Sequence, residues 1–328
     1  MTRTVTIATE TWPLAKPFVI ARGQRSETQV VVVSIEQDGA VGRGESTPTA
    51  RYGETCTTVT AQLREIVPEL SDGLSRTALQ QRLAAGAARN AVDAALWDLE
   101  AKLSGKTVAE LTALPWPDTV NTVQTISLLS PDEMAAAAVT LRGYPLIKVK
   151  LNDKLVLERV EAVHAQAPQA KLLVDANESW SMDLLQEMAP RLVSMNVVVI
   201  EQPLPTGRDE ALAFYRCPLP LAADESCHTR AELAYLRGKY DIINIKLDKT
   251  GGLTEALALL HEASSGGLQV MVGCMLGTSL GIAPAMFVAT RASYVDLDAP
   301  ALLARDRRHK LVINNGVMSA LPVQLWGC

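Results

Sequence analysis

The chain has 328 residues, of which 48% are hydrophobic and 20% are charged, so it has enough apolar sequence for a large core and is unlike a disordered protein. The formal net charge is −5, from 31 basic and 36 acidic residues, which argues against nucleic-acid binding. The five cysteines show no pairing pattern, and no apolar stretch reaches the roughly 20 residues that span a bilayer. We therefore expect a reduced, cytoplasmic protein that binds neither nucleic acid nor membrane.

The first hundred residues combine strand-like and helix-like patterns, which predicts an α+β segment. The predicted elements are strands over 4–12 and 29–46 and helices over 58–70, 76–85 and 88–103. Asp38-Gly39 is a dipeptide typical of a hairpin turn, and it divides the second strand stretch into two. Gly105 follows the last helix as a stop signal.

After Pro117 the sequence alternates short apolar runs with helical patterns. The eight runs cover residues 120–128, 145–151, 170–176, 196–203, 219–226, 241–248, 267–274 and 292–298. Continuous apolar strands separated by helices favour a parallel sheet that is buried on both faces, and eight units favour a closed (β/α)₈ barrel. An open doubly wound sheet is the alternative, but no GxGxxG follows the first strand.

The predicted fold class is therefore α/β, a (β/α)₈ or modified TIM barrel with an α+β capping domain. We expect the capping domain to span 1–115 and the barrel to span 116–298. Residues 299–328 are expected to return and pack on the capping domain. The eighth strand–helix unit is the weakest, because little helical sequence follows it before Pro300.

Charged residues recur at the carboxyl ends of the predicted barrel strands. In chain order they are Lys148, Lys150, Asp175, Glu201, Asp224, Lys246, Asp296 and Asp298. The intervals from Lys150 to Lys246 are 25, 26, 23 and 22 residues, each the length of one strand–helix unit. One charged residue at a strand end is often only the first solvated position of a loop, but five at corresponding positions favour convergence on one barrel mouth.

Three consecutive acids in this series form what we call the carboxylate triad. Its members are Asp175, Glu201 and Asp224. Carboxylates buried together repel one another unless a cation joins them, and hard oxygen donors without His or Cys favour Mg²⁺. Lys150 and Lys246 lie on the strands that flank the triad, where each can serve as acid or base. We expect burial beside other cations, Lys148 among them, to lower a lysine pKa toward neutrality.

The motifs "KVK", "DANESW", "EQP", "ADES" and "NIKLDKTGG" resemble the enolase superfamily, in its muconate-cycloisomerase-like subgroup. The resemblance covers nearly the whole chain. It implies that the triad holds one Mg²⁺ per subunit and that Lys150 and Lys246 face opposite sides of the substrate. Glu178 is a departure, since many relatives have a small or amide residue there, and its role is open.

Within the subgroup, the sequence is most similar to the dipeptide epimerases. The resemblance implies a 1,1-proton transfer through an enolate that inverts the glutamate α-carbon of L-Ala-D/L-Glu, a dipeptide of murein peptide recycling. Asp296 and Asp298 are implied to bind the substrate α-ammonium. Arg25 is favoured over Arg22, which is otherwise a surface residue, for the glutamate side-chain carboxylate.

Further site residues follow from the same resemblance. Thr125, Cys274 and Met275 are expected to line the pocket, and Lys148 is an additional candidate for contact with the substrate carboxylate. We expect Asn177 and Glu225 to orient the lysines rather than to bind the metal. We expect Lys249, three residues after Lys246, to lie in a loop away from the site.

Several alternatives stay open at this point. The chain is also compatible with an epimerase of other dipeptides, or with an o-succinylbenzoate synthase or cycloisomerase, although those substrates carry no ammonium for Asp296 and Asp298. A Schiff-base aldolase needs no carboxylate triad. A non-catalytic barrel has no use for both lysines and all three acids. The sequence leaves open which lysine serves which enantiomer, and whether the chain forms a homo-oligomer.

Overall fold

Within residues 3–328, which the computed structural model describes, the chain forms three β-sheets and thirteen α-helices. The strands are β1 Thr4–Ile20, β2 Gly23–Gln37, β3 Ala40–Ser46, β4 Val120–Asn121, β5 Gln124–Ile126, β6 Leu146–Lys150, β7 Lys171–Asp175, β8 Val197–Glu201, β9 Leu221–Ala223, β10 Ile242–Lys246, β11 Gln269–Gly273, β12 Tyr294–Asp296, β13 Ile313–Asn314 and β14 Val317–Met318. The α-helices are α1 Cys56–Ser71, α2 Arg76–Arg82, α3 Ala87–Ser104, α4 Val108–Thr112, α5 Pro131–Val139, α6 Val156–Gln166, α7 Met182–Leu192, α8 Leu233–Leu236, α9 Leu247–Thr250, α10 Leu253–Ser265, α11 Ser279–Ile282, α12 Ala285–Ala289 and α13 Ala299–Leu302. None of the helices in this part of the chain is long and apolar enough to cross a membrane.

The first sheet is an antiparallel meander of β1, β2 and β3. The predicted turn is confirmed, because Asp38 and Gly39 have φ angles of 52° and 80° between β2 and β3. The first strand is longer than expected. It continues to Ile20 and pairs with Gly23, so residues 13–28, which lie between the two predicted strand stretches, belong mainly to a hairpin. We call residues 18–25, at the tip of this hairpin, the capping hairpin.

Helix α3 covers the inner face of this sheet, where Val31, Val33 and Ile35 are fully buried. The predicted helices of the segment are confirmed as α1, α2 and α3, although α2 ends at Arg82. Glycines bring β3 against α3. A Cβ atom at Gly44 would lie 2.1 Å from the Ala91 carbonyl oxygen. Only a strand without side chains at this contact can approach the helix backbone so closely.

The second sheet contains the eight strands β5 to β12 in sequential order, all in parallel pairs. The eight predicted strands are therefore confirmed. Hydrogen bonds close the ring between the first and last strands, with Val123 N donating to Val295 O at 3.0 Å and Leu297 N donating to Thr122 Oγ1 at 3.0 Å. The weak eighth unit is also as expected, because only the four-residue α13 follows β12.

Alternation along the strands divides the barrel interior into two layers. The lower layer is an apolar plug that contains Leu173, Val199, Ala222, Ile242 and Met271, all fully buried. Two to four residues further along the strands the same inward face is polar and mostly charged. The upper layer contains Lys150, Asp175, Glu201, Asp224, Asn244 and Lys246. The plug fills the barrel from below, so the charged layer opens only toward the carboxyl ends of the strands.

The capping segment is fixed to the barrel by polar contacts. Arg89 of α3 donates to the carbonyl oxygens of Thr250 and Gly251 at 2.6 and 3.1 Å. Leu128 N donates to Val19 O of the capping hairpin at 2.9 Å. From the C-terminal residues, Trp326 Nε1 donates to Arg43 O of β3 at 3.0 Å. The boundaries at residues 115 and 298 stay a prediction.

We expect the variant Gly44→Ala to destabilise the protein by about 1–3 kcal/mol, because the new methyl group overlaps the backbone of α3. The measurement is thermal or urea unfolding followed by circular dichroism. Gly105→Asn is the matched control. Gly105 has a φ of 65° and open space around it, and we expect a cost of about 1 kcal/mol or less. Equal effects of the two substitutions would contradict the close packing of β3 on α3.

Candidate active site

A cavity of about 490 Å³ opens at the carboxyl ends of the barrel strands, under the capping hairpin and residues 49–52. Most of the sequence-predicted site residues line it. They are Arg25, Thr125, Lys148, Lys150, Asn177, Asp224, Glu225, Lys246, Cys274, Met275, Asp296 and Asp298. The remaining two, Asp175 and Glu201, are fully buried on the strands between Lys150 and Asp224. The fold therefore brings the predicted residues together.

Two members of the carboxylate triad contact lysines of β6. Asp175 Oδ2 lies 2.6 Å from Lys150 Nζ and 3.1 Å from Lys148 Nζ. Glu201 Oε2 lies 2.6 Å from Lys148 Nζ, although without the geometry of a hydrogen bond. Glu201 Oε1 accepts a hydrogen bond from Asn244 Nδ2 at 2.7 Å. Lys148 and Lys150 both point inward because they are two residues apart in a strand.

The third member of the triad, Asp224, contacts two lysines. Its Oδ2 accepts from Lys246 Nζ at 2.7 Å, and its Oδ1 accepts from Lys249 Nζ at 2.7 Å. The expectation that Lys249 lies in a loop away from the site is wrong. The chain turns from β10 directly into the single turn of α9, which places the Lys249 side chain in the interior with 1% exposure.

The charges of this cluster stabilise one another. Burial disfavours the charged form of Lys246, but the carboxylates around it, Asp224 first and Glu201 next, together outweigh burial and raise the pKa of Lys246. The pKa of Lys148 is likewise raised by Asp296 and Glu201 against the effect of burial. The expectation that neighbouring cations lower a lysine pKa is wrong for Lys246, because the carboxylate of Asp224 acts on it more strongly than the ammonium group of Lys148 does.

The pKa values of the triad carboxyls indicate which of them an additional cation would stabilise. Burial and the charge of Asp175 raise the pKa of Glu201 to about 8, so this carboxyl lacks sufficient positive charge around it. The pKa of Asp175 is lowered instead: burial opposes ionisation, but Lys150 and Lys148 outweigh it. Glu201 is therefore the member of the triad that an additional cation would stabilise most.

The donor chemistry of the triad fits Mg²⁺. All three residues offer carboxylate oxygens, and the buried Glu201 Oε2 has no hydrogen-bond partner. In residues 3–328 no three acids, histidines or cysteines are grouped as a ready metal cage, because lysines lie between the carboxylates. The residues fit the ion by their chemistry, and a bound ion would take over charge that the lysine ammonium groups now balance.

Asn177 and Glu225 lie beside the triad, but their contacts differ from those expected. Asn177 N donates to Asp175 Oδ1 at 2.9 Å, and Asn177 Nδ2 donates to Glu225 Oε1 at 3.4 Å. Glu225 Oε1 also pairs with Arg22 Nη2 at 2.7 Å. These residues thus contact a triad carboxylate and the capping hairpin directly, and their expected role in orienting the lysines stays a prediction.

Asp296 and Asp298 follow one another along the last barrel strand and its loop, and their environments differ. Asp296 Oδ2 accepts from Lys148 Nζ at 2.6 Å. Asp298 Oδ2 accepts from the Thr125 backbone N at 2.7 Å. Burial, together with the charge of Asp296, raises the pKa of Asp298 to about 6. Asp298 is therefore ionised at neutral pH and is not paired with a cation within residues 3–328, so it is the stronger candidate for binding an ammonium group.

Sequence reasoning missed three groups at this site. Asn244 supports Glu201, and its position two residues before Lys246 on the same strand face was the available signal. Gln202 is fully buried, and its Oε1 accepts from the backbone N atoms of Asp224 and Ser226 at 2.9 and 3.1 Å. Its φ of 36° is unusual for a residue with a side chain, and no sequence pattern indicated this. The third is the set of ion pairs that Glu178 forms with Arg22 and Arg51 at the cavity mouth, because the sequence drew attention to Glu178 and Arg22 without indicating that they pair.

Two family models match the chain. Residues 2–112 match the model of the "Mandelate racemase / muconate lactonizing enzyme, N-terminal domain", and residues 132–321 match the model described as "Enolase C-terminal domain-like". An L-Ala-D/L-Glu epimerase from Escherichia coli K12 is 50% identical over 96% of this chain and 98% of the relative. An N-acetyl-D-glutamate racemase from a Pseudoalteromonas species is 44% identical over 91% of this chain and 95% of the relative.

Solved structures agree with these matches. An enolase family member from Agrobacterium tumefaciens with homology to dipeptide epimerases, bound to sodium and L-Ala-L-Glu, superposes with a TM-score of 0.97 at 46% identity, over 99% of this chain and all of the other. A dipeptide epimerase from Cytophaga hutchinsonii, complexed with Mg and D-Ala-L-Val, gives a TM-score of 0.91 at 28% identity, over 98% and 94% of the two chains. The chain therefore belongs to the mandelate racemase/muconate lactonizing enzyme family of the enolase superfamily, and it is an enzyme of the racemase and epimerase type.

Proposed function

We propose that the protein is a Mg²⁺-dependent epimerase that inverts the glutamate α-carbon of L-Ala-D/L-Glu. The observation that carries the proposal is the placement of two inward-pointing lysines on either side of the carboxylate triad. Lys150 lies on β6 and Lys246 on β10, and β7, β8 and β9 lie between them. Inversion of a carbon centre by proton transfer needs one base on each face of that carbon. The proposed role in murein peptide recycling rests on this substrate alone.

In the proposed reaction, one lysine in its neutral amine form removes the α-proton of the bound dipeptide, and the opposite lysine in its ammonium form delivers a proton to the other face. Lys150 and Lys246 each lie in the cavity wall with 7% exposure, so bulk water has little access to either amine. Asp175 and Asp224 hold the two amines by hydrogen bonds of 2.6 and 2.7 Å. These contacts fix each amine at its own side of the cavity.

The triad would hold one Mg²⁺, which supplies positive charge that stabilises the enolate as the α-proton leaves. Asp175, Glu201 and Asp224 are the proposed ligands. Lys249 keeps Asp224 in place through Oδ1, and Asn244 does the same for Glu201 through Oε1. Both supports lie on β10 and the turn after it, so this strand positions two ligands as well as a base.

Two further contacts would define the substrate. Asp298 is proposed to bind the α-ammonium of the first residue, since its carboxylate lies in the cavity and is anchored by Thr125 N. Arg25 is proposed to bind the side-chain carboxylate of the second residue. It lines the cavity, and no carboxylate of residues 3–328 lies within 4.0 Å of its guanidinium. A dipeptide with a free amino group and an acidic second residue satisfies both.

Incubation of the protein with L-Ala-L-Glu and Mg²⁺ in D₂O should exchange the glutamate α-proton and produce L-Ala-D-Glu, as followed by NMR. Chelation of the metal should stop the reaction, and added Mg²⁺ should restore it. Lys150→Ala and Lys246→Ala should each slow epimerisation by about 1,000-fold, because each removes one of the two bases. Each variant should still exchange the α-proton of one enantiomer, and the two variants should differ in which enantiomer they exchange.

Lys154→Ala is the matched control for the lysine variants. Lys154 is exposed and lies outside the cavity lining, so its loss should leave epimerisation unchanged. Absence of exchange of the glutamate α-proton by the wild type would contradict the substrate assignment. Exchange of the same enantiomer by both lysine variants would contradict the placement of the two bases on opposite faces.

Asp298→Asn should raise the KM for L-Ala-L-Glu by about 10- to 100-fold, because the amide can still accept from Thr125 N but no longer offers a charge to the ammonium. The same variant should bind N-acetyl-L-glutamate no more weakly than the wild type, because that compound has no ammonium group. Asp153→Asn, at an exposed position after β6, is the control. An unchanged KM for the dipeptide would show that Asp298 does not bind the ammonium.

A further inference from the structure

Glu178 occupies a strained position at the barrel mouth. It follows β7, and its φ of 69° and that of 44° at Asn177 are unusual for residues with side chains. These angles direct the Glu178 side chain to the rim of the cavity, where it is 9% exposed. Its Oε1 accepts a hydrogen bond from Thr206 N at 2.9 Å, which ties the carboxylate to the loop after β8.

The carboxylate of Glu178 pairs with two arginines from different capping segments. Arg51 binds it through two parallel hydrogen bonds of 2.7 and 2.8 Å, the strong bidentate geometry of a guanidinium on a carboxylate. Arg22 of the capping hairpin lies 3.1 Å from its Oε2. Arg22 also pairs with the buried Glu225 at 2.7 Å, so both guanidinium groups of this pair have carboxylate partners.

The lining of the cavity contains three arginines, and Glu178 pairs with two of them. Arg22 and Arg51 are paired, whereas Arg25 has no carboxylate partner within residues 3–328. We propose that Glu178 is a specificity-determining residue, because together with Glu225 it neutralises the other two arginines at the mouth and leaves Arg25 alone to select the substrate side-chain carboxylate. This inference rests on the proposed function, in which the second residue of the dipeptide is acidic.

The net charge at the cavity mouth determines how removal of Glu178 would change the preference for an acidic substrate. Three guanidinium groups at the mouth carry three positive charges, and Glu178 and Glu225 cancel two of them. Without the charge of Glu178, Arg51 would lose its partner and Arg22 would keep only Glu225. The potential at the mouth would become more positive, and an acidic side chain would gain relative to its neutral isostere. A purely mechanical role for Glu178, holding two capping segments on the barrel, would instead affect acidic and neutral substrates equally.

The experiment compares kcat/KM for L-Ala-L-Glu and L-Ala-L-Gln in the wild type and in Glu178→Gln. This substitution removes the charge and keeps an oxygen that accepts from Thr206 N. We expect the preference for the acidic dipeptide to rise by about threefold to tenfold at low salt, and the gain to shrink as salt is added. Glu187→Gln removes the same charge from the exposed face of α7 and should leave the preference unchanged.

A second measurement needs no turnover. Phenylglyoxal modification followed by peptide mass spectrometry reports the reactivity of each arginine. In the wild type Arg25 should react faster than Arg22 and Arg51, and in Glu178→Gln the modification of Arg51 should accelerate by about threefold. Arg25→Met should lower the preference for the acidic dipeptide toward unity in the wild type, and by a smaller factor in Glu178→Gln, where Arg51 has no carboxylate partner.

An unchanged preference in Glu178→Gln, or an equal loss of activity on both dipeptides, would overturn the inference, as would an Arg51 that reacts as fast as Arg25 in the wild type. If the wild type turns over neither dipeptide, the proposed function fails. In that case the arginine reactivities alone decide whether Glu178 neutralises Arg22 and Arg51 and leaves Arg25 unpaired.

Discussion

Three buried carboxylates on neighbouring strands impose the main constraint on this molecule. Charges of one sign cannot be buried together unless opposite charges accompany them. The barrel meets this requirement with lysines from its own strand ends, at nitrogen–oxygen distances of 2.6 to 2.7 Å for the closest pairs. Glu201, whose pKa is raised to about 8, is the member of the triad that this arrangement balances least. That residual imbalance is what suits the triad to a metal ion.

The rest of the fold serves this charged layer. The apolar plug beneath it, which includes Leu173 and Met271, closes the barrel from below and keeps the dielectric low. Above it, the capping hairpin and residues 49–52 leave an opening, and arginine–glutamate pairs lie at its rim. The capping segment is held in place by α3 through Arg89 and by the last residues of the chain through Trp326. In the proposed function, specificity and chemistry are thus supplied by separate parts of one chain.

The sequence predicted the barrel and its inward charges because both depend on local periodicity. Alternate residues of a strand share a face, so Lys148 with Lys150 was readable as a pair. Contacts between distant segments were not readable. Nothing in the sequence indicated that Gln202 accepts from Asp224 N, or that Glu178 joins Arg22 to Arg51. The prediction for Lys249 was wrong because the residues after β10 form a short helical turn, α9, instead of a loop. This turn directs the Lys249 side chain into the interior. Such contacts are set by the geometry of loops, for which no periodic pattern exists.

The most direct test of the central claim is anomalous diffraction from crystals of the protein grown with Mn²⁺ in place of Mg²⁺ and with L-Ala-L-Glu. We expect one anomalous peak bounded by carboxylate oxygens of Asp175, Glu201 and Asp224. The dipeptide α-carbon should lie between the amines of Lys150 and Lys246. A peak elsewhere, or both amines on the same face of the α-carbon, would contradict a two-base epimerase built around this carboxylate triad.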